Sequence, residues 1–531
     1  MSALNPLFFL VLLIALSLRL PLLKSGMPFV LSPDEANYIP KILYLLKHFL
    51  NPHCAAIPGF FLYLNSLVLF LSTGSLNINA LITMLDVNPA SIYVPLRMIS
   101  LIFNLGSIVV VFLIGNLFSY MTGIIASSLL SLALIHVMFS HVLSPLSMLI
   151  FCLLLSTFFA LRAYLKNSLN ILKASVIATL LSASAHYIGV IGIVPVLFVM
   201  AFKKDFTKLR AFLVLFLIVF IVLNPYAIFY LPFSLAELVK NYLFSYYNHH
   251  SGSYLLYLFG FLIPSVGPIA WIASFFLIKY KKDYDSNLLK ILFSLPLFYF
   301  AILGLLHFTS PGFATVLIPY FCLSAGLVFN SIYNEIPVHW RTGTSTQWFV
   351  LIVLFLLTFY IPLKYTFKYN KLIGLSDTRV LATEWIKENT SDQYKIAWDK
   401  NSIQMSFHDV YNKKDLLAVV DDKEVLINKQ KFSVTAGLLK KKDWLKYFKK
   451  KVDYAVINSL DYERVLRQPG SSPEKKYYTR ILKLKPQIVF NPYLLEKEKK
   501  IRSLLIEDLY MPVDSLWYRE RPGPVIKIYK L

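Results

Sequence analysis

Apolar segments long enough to cross a lipid bilayer recur through the first two-thirds of the chain, and this constrains the fold more than any other feature. Roughly 17–25 apolar residues are needed to span ~30 Å of hydrocarbon. Twelve candidate runs lie near residues 6–23, 58–74, 92–117, 121–140, 142–163, 171–186, 187–202, 209–229, 254–278, 288–306, 311–330 and 347–363. At 57% hydrophobic residues and mean hydropathy +0.61, the 531-residue chain is too apolar for a water-soluble protein. From residue 364 onward no run is long enough to span, and 34 basic with 21 acidic residues give that part a soluble composition. The expected organisation is a polytopic, mainly α membrane domain over 1–363 and one soluble α/β domain over 364–531.

Charge decides the orientation. The run at 58–74 is the shortest and is interrupted by Asn65, Ser66, Ser72 and Thr73, so it is read as a re-entrant or surface helix in the first outer loop. About eleven transmembrane helices then remain, and the connections 162–173, 203–210, 279–290 and 331–346 fall on one side with twelve Lys or Arg. The opposite connections carry four, which are Lys24, Lys41, Lys47 and Lys240. Basic loops stay cytoplasmic, so the N-terminus is expected inside and the tail outside a cell membrane. The first segment has neither a basic leader nor a small-residue cleavage site and is expected to persist as an anchor. The net charge of +23 is assigned largely to topology and not to nucleic-acid binding. Cys54, Cys152 and Cys322 are far apart and suggest neither a disulfide framework nor a zinc motif.

Against this background the stretch Leu31–Lys41, LSPDEANYIPK, stands out. Residues 1–363 hold eight acids, and Asp34 and Glu35 sit side by side at the start of the first outer loop. No phosphate-binding GxxxxGK[ST] sequence or nucleotide-fold signature occurs, so chemistry here needs an activated substrate delivered from the bilayer. A carboxylate in a partly desolvated site suits a general base that deprotonates an acceptor as a sugar leaves a lipid phosphate. The plain structural reading carries equal weight: Ser32 caps a helix, Pro33 opens it, and the acids sit in its favoured first turn. Arg97, at the outer end of its run, either grips a phosphate or snorkels to the headgroups. His141 and His186 lie where adjacent spans meet on the outer side, and Tyr246–Ser253 is a loop carrying His249 and His250.

PDEANY after one inner-to-outer span, then VPLRMISLIFNLGSIVVVFLIGNLF and GIIASSLLSLALIHVMFSHVLSP, resemble the polytopic C-type glycosyltransferases over roughly residues 1–230. That superfamily includes protein O-mannosyltransferases and lipid A aminoarabinose transferases. In the tail, ATEWIKENTSDQYKIAWD and GPVIKIYKL look like the outer domain of prokaryotic members. The resemblance implies inverting transfer of a sugar from a polyprenyl-phosphate donor to a protein, lipid or glycan acceptor on the outer face. It makes Asp34 the base with Glu35 in support, and gives donor phosphate to Arg97, His186 and Lys240. Tyr38, His53, His141, His249 and His250 fall in the vicinity of an acceptor or metal. The family aspartate after SH is replaced around Ser144 and Pro145, so no cofactor is expected to be required, although a divalent metal near the acidic pair fits some relatives. The alternative is a transporter or lipid-handling protein using Asn104, Asn116 and Asn224. In the tail the sequence predicts a helix over Thr378–Asn389 capped by Asp377, with strands at KIAWD, DYAVIN and VIKIYKL.

Overall fold

The computed structural model describes residues 6–27, 32–47, 51, 57–226, 232, 236, 254–306, 310–335, 345–390, 394, 396–399, 402–403, 432–434, 453–467, 470–471, 473–494 and 511–531. At 33, 34, 36, 37, 47, 86, 305, 306, 345–352, 354, 355, 432–434 and 473 it describes the backbone alone. The chain divides into two compact units: Met1–Leu23, His48–Leu69 and Val94–Lys368 form the first, and Lys24–Lys47, Phe70–Tyr93 and Tyr369–Leu531 the second.

The helices in chain order are α1 Pro6–Arg19, α2 Pro33–Lys47, α3 Gly59–Thr73, α4 Ile78–Val87, α5 Ala90–Asn116, α6 Tyr120–Leu132 and α7 Leu134–Met138. There follow α8 Pro145–Lys166, α9 Leu169–Ala185, α10 Ile193–Lys203, α11 Leu209–Leu223, α12 Ile263–Val266, α13 Pro268–Tyr280 and α14 Ser286–Leu306. The series ends with α15 Pro311–Ala314, α16 Ile318–Glu335, α17 Ser345–Ile373, α18 Thr378–Asn389, α19 Ser459–Arg467 and α20 Pro473–Ile481.

The first unit is a membrane-spanning bundle. In α1, Phe8, Val11, Ala15 and Leu18 are buried at seam spacing, whereas Phe9, Leu10 and Leu13 are exposed, the pattern of a helix with one face in the bundle and the other in lipid. Small residues bring helices close together. A Cβ on Gly123 would lie 2.8 Å from the Phe112 carbonyl oxygen, and one on Gly326 would lie 2.8 Å from that of Thr122. Polar pairs do the rest: Ser156 Oγ lies within hydrogen-bond distance of Ser175 Oγ, Thr179 Oγ1 and the Gly192 carbonyl, tying α8 to α9. Asn167, at φ 48°, makes the left-handed turn between them.

By length and composition five described helices are long and apolar enough to cross a membrane, or seven if each bent pair counts as one, with four shorter apolar helices besides. This does not reach eleven continuous spans among the described residues: the runs expected at 121–140, 171–186, 187–202 and 209–229 form the four shorter helices, and two apolar segments are bent. The run expected as one span over 254–278 bends by 116° at Gly267, which has φ 83° and is followed by Pro268 as the first residue of α13. The run at 58–74 forms α3 and is followed by a 79° bend into α4. Asn77 starts α4 by accepting the backbone N–H groups of Asn79 and Ala80. Apolarity marks these segments as lipid-compatible, and the turn residues then divide them.

The basic connections meet at one end of the bundle. Tyr164 and Phe202 are in edge contact at 6.4 Å, Asn287 donates to the Tyr164 hydroxyl at 3.0 Å, and the Tyr280 hydroxyl donates to Glu335 at 3.0 Å. Asn330 and Ser331 both reach the Tyr284 hydroxyl. These contacts fit the assignment of 162–173, 203–210, 279–290 and the start of 331–346 to one side of the membrane. At the other end, residues 139–146 and 310–313 come together, a Cβ on Gly312 lying 2.9 Å from Leu146 and 3.0 Å from Phe139.

In the second unit, α18 starts where expected, with Asp377 accepting the Arg379 N–H at 2.7 Å. The strands are β1 Ile396–Trp398, β2 Phe432–Val434, β3 Tyr454–Asn458, β4 Ile488–Phe490 and β5 Ile526–Lys530, in sheet order β2-β1-β3-β5-β4. β1 pairs in parallel with β2 and β3, and β5 is antiparallel to β3 and β4. Apolar groups fill both faces: Ile386, Trp398, Val456 and Ile528 on one, Ala397, Ile457, Tyr462 and Tyr478 on the other.

Asp399, just past β1, is buried there and accepts the Asn458 N–H at 3.0 Å and the Tyr478 hydroxyl at 2.9 Å. Burial first and the Asp461 carboxylate second push Asp399 up to about 8. The folded tail therefore holds a proton here that the unfolded chain releases above its ordinary carboxylate range, so stability falls as pH rises from about 4 to about 8 and levels off above. Limited proteolysis of the tail across this range is expected to show faster cleavage at the alkaline end. Asp399→Asn is expected to flatten the profile, and an unchanged slope in that variant would refute the assignment.

Candidate active site

The acidic pair lies on α2 in the second unit. Glu35, Ile39, Ile42 and Leu43 are buried along one stripe of this helix, at the i, i+4, i+7, i+8 spacing of a packed face. α2 and α4 pack within this unit. Adjacent residues on a helix are ~100° apart, so Asp34 does not share the Glu35 stripe. Asp34 is described by its backbone alone; counting along the helix puts it on the row of Tyr38 and Lys41, both half-buried. Glu35 thus lies inside the packing, and helical register gives position 34 a different row. Lys41 on that row was counted in the sequence only for topology. The capping alternative is not realised through Ser32, whose buried Oγ makes no hydrogen bond among the described residues.

In the first unit Arg97 is buried and does not snorkel. Its Nη1 donates to the Leu23 carbonyl at 2.8 Å, pinning α5 to the end of the first span where the outer loop begins. His141, in the connection after α7, is buried, and its Nδ1 lies 3.4 Å from the Val137 carbonyl. Burial first, then the Arg97 guanidinium with a smaller push from Arg19, holds this imidazole at about 3, so it is neutral at physiological pH. Ser144 N–H donates to Ser100 Oγ at 3.4 Å, joining the same corner. His186 stands where α9 ends; its Nδ1 accepts the Ile188 N–H at 3.3 Å, and its ring is edge-on to Phe313 at 6.4 Å. That local bond leaves Nε2 as the nitrogen through which a ligand could be met.

Beneath this corner lies a buried cluster that sequence reasoning missed. Arg19 Nε donates to Asn104 Oδ1 at 2.7 Å, and Nη1 donates to the carbonyls of Ala15 at 3.0 Å and Ser131 at 2.8 Å. Nη2 faces the Leu130 carbonyl at 3.5 Å and His136 Nδ1 at 3.1 Å. All five guanidinium N–H groups are engaged by neutral acceptors. Because Nδ1 meets a donor, His136 carries its proton on Nε2, which has no partner among the described residues. The available signal was that Arg19 and His136 are the only ionisable residues with charged or basic side chains in their spans.

Two of the three asparagines of the transporter alternative are engaged in packing. Asn104 Nδ2 donates to the His136 carbonyl at 2.7 Å, whereas Asn224 accepts the Phe60 N–H at 3.0 Å and donates to Ser184 Oγ at 2.8 Å. Asn116 is exposed. Lys240, His53, His249 and His250 lie outside the described residues. Among the described residues no group of three or more His, Cys, Asp or Glu could hold a metal ion.

No protein-family model matches this chain, and no curated protein matches it in sequence. Solved structures do. The archaeal oligosaccharyltransferase AglB from Archaeoglobus fulgidus, in complex with an inhibitory peptide and a dolichol-phosphate, is 13% identical with TM-score 0.56, over 89% of this chain and 72% of that one. The same enzyme tethered to an acceptor peptide containing the NVT sequon gives 12% identity and TM-score 0.57 over 88% and 71%. ArnT from Cupriavidus metallidurans in the apo state is 13% identical, with TM-score 0.48 over 86% and 94%. At these identities the AglB likeness is one of fold alone, and it agrees with the fold expected from the resemblance of the first loop and early spans.

Proposed function

We propose that this chain is a membrane glycosyltransferase that moves a sugar from a polyprenyl-phosphate donor to an acceptor on the outer face of the membrane. The observation that carries the reading is the fold shared with AglB over nine-tenths of the chain, because that enzyme was captured with both a dolichol-phosphate and a peptide. The acidic first-loop helix within that fold agrees with it. Asp34 acts as general base: its carboxylate takes the acceptor proton as the acceptor oxygen or nitrogen attacks the anomeric carbon. The bond to the lipid phosphate breaks on the opposite side, inverting the configuration. Glu35 holds α2 in its packing and so positions Asp34. Arg97 places a buried positive charge at the end of the first span, where it favours the negative charge building on the leaving phosphate. His186 and Lys240 are further candidates for that phosphate. The tail groups with the first loop in one compact unit, which suits a role in guiding the acceptor.

Purified protein in vesicles, given a radiolabelled polyprenyl-phosphate sugar and candidate proteins, lipids or glycans, is expected to yield a labelled acceptor and free lipid phosphate. Donor flipping or uptake without any covalent product would instead establish the transporter reading. The family aspartate after SH is replaced around Ser144 and Pro145, and fixed cations can stabilise a leaving phosphate, so the mechanism proposed has no step through a metal. Transfer is expected to be largely unchanged by chelation. Activity abolished by chelator and restored by Mn²⁺, Mg²⁺ or Zn²⁺ would show that a divalent ion belongs in it.

A further inference from the structure

The end of the bundle remote from Arg97 holds a second constellation that glycosyl transfer does not use. The Lys203 ammonium lies 4.9 Å from the centre of the Tyr164 ring, and the Lys290 ammonium lies 5.7 Å from that of Phe202. The two rings touch edge to face at 6.4 Å, so α8, α10 and α14 bring two exposed ammonium groups around one aromatic pair. Asn287, from the first turn of α14, donates to the Tyr164 hydroxyl and fixes that ring. The acids of the neighbouring connections are engaged or distant in role: Asp285 caps α14 through the N–H groups of Asn287 and Leu288, and Asp205 holds Thr207. Neither lysine makes an ion pair among the described residues.

The surface next to this aromatic pair, along α10 and α14, is apolar and exposed. Phe198 stacks edge-on to Phe202 at 5.9 Å and is 37% exposed, and Leu297, two turns from Lys290 on the same face of α14, is 69% exposed. Cations at a helix end above exposed aromatic and aliphatic side chains match a molecule with an anionic head and a hydrocarbon tail. Free phosphate would use the lysines alone, whereas a phospholipid would also cover Phe198 and Leu297, which face the hydrocarbon.

We propose that this surface binds an acidic phospholipid, with Lys203 and Lys290 flanking the headgroup phosphate and the acyl chains lying along Phe198 and Leu297. The site is independent of the acidic pair and of the sugar chemistry. The test uses the full chain, delipidated in detergent and titrated with phosphatidylglycerol or phosphatidylcholine, with bound lipid read by native mass spectrometry. Wild-type protein should retain phosphatidylglycerol in preference to phosphatidylcholine. Lys203→Gln with Lys290→Gln should weaken phosphatidylglycerol by about tenfold to thirtyfold, each single variant giving part of that loss. Lys281→Gln with Lys282→Gln, on the adjacent connection, should change it little. Equal retention of the two lipids, or an equal loss in the Lys281 and Lys282 control, would reduce the site to unspecific charge attraction. Competition by glycerol phosphate or inorganic phosphate as strong as by whole lipid would overturn the lipid assignment. The single variants keep the test decisive should the double variant misfold.

Discussion

Asp34→Asn is expected to lower sugar transfer by roughly 10²–10⁴-fold, the range that loss of a positioned general base costs. The asparagine amide matches the carboxylate in shape and cannot accept the acceptor proton. Donor affinity is expected to persist, because the phosphate-facing charges are assigned to Arg97, His186 and Lys240 and not to α2. The loss should therefore fall on kcat, with KM for donor little changed. Glu35→Gln is the informative contrast. Glu35 is buried in the same stripe as Ile39, Ile42 and Leu43, so its replacement is expected to show first as reduced folded yield. Transfer by Asp34→Asn at close to the wild-type rate, measured in vesicles with a saturating acceptor, would remove Asp34 from the chemistry. It would also leave the structural reading of the pair as two acids in the first turn of a helix.

How much of this was legible beforehand depends on the range of the interaction that fixes each feature. The tail helix was readable because its signals are local: Asp377 caps it, Thr378–Asn389 carries its periodicity, and the turn of the chain follows at Thr390. The strands at Ile396–Trp398, Tyr454–Asn458 and Ile526–Lys530 were readable as short β-branched and aromatic runs bounded by polar residues. Clustering of the basic connections was readable because charge asymmetry is a property of whole loops. The break at Gly267 was not, since hydropathy over 254–278 is uniform, and only the left-handed backbone at one glycine before a proline divides it. The place of Glu35 in a packed stripe became visible only once α2 was known to be helical there. His186 and Arg97 were named correctly as residues near span ends, but their carbonyl and backbone partners are set by tertiary packing. Sequence spacing carries no trace of a bond between Arg97 and Leu23.

The Arg19 cluster shows this limit most clearly, and it gives the largest stability effect expected in the bundle. Arg19, Asn104 and His136 come from three different spans, and each alone looks like an isolated polar residue in an apolar run. Arg19→Leu removes the donors that now satisfy Asn104 Oδ1, the Ser131 carbonyl and His136 Nδ1, all buried. Hydrogen bonds between membrane helices contribute roughly 0.6–2 kcal/mol each, and an orphaned buried group costs about 1–3 kcal/mol, so a loss on the order of 3–5 kcal/mol is expected. Arg19→Lys should recover little, because three ammonium donors cannot reach acceptors arranged for a planar fork. Replacing all three polar groups together, Arg19→Leu with Asn104→Leu and His136→Leu, should be milder than Arg19→Leu alone, since it removes the side-chain acceptors along with their donor and leaves only backbone carbonyls, those of Ser131 and His136 among them, without those partners. Thermal unfolding in detergent, followed by tryptophan fluorescence, measures both comparisons. A Tm for Arg19→Leu equal to wild type would mean that the guanidinium contributes no net stability. If the triple variant proved no better than the single one, the cost would lie in repacking the three spans and not in the hydrogen bonds that join them.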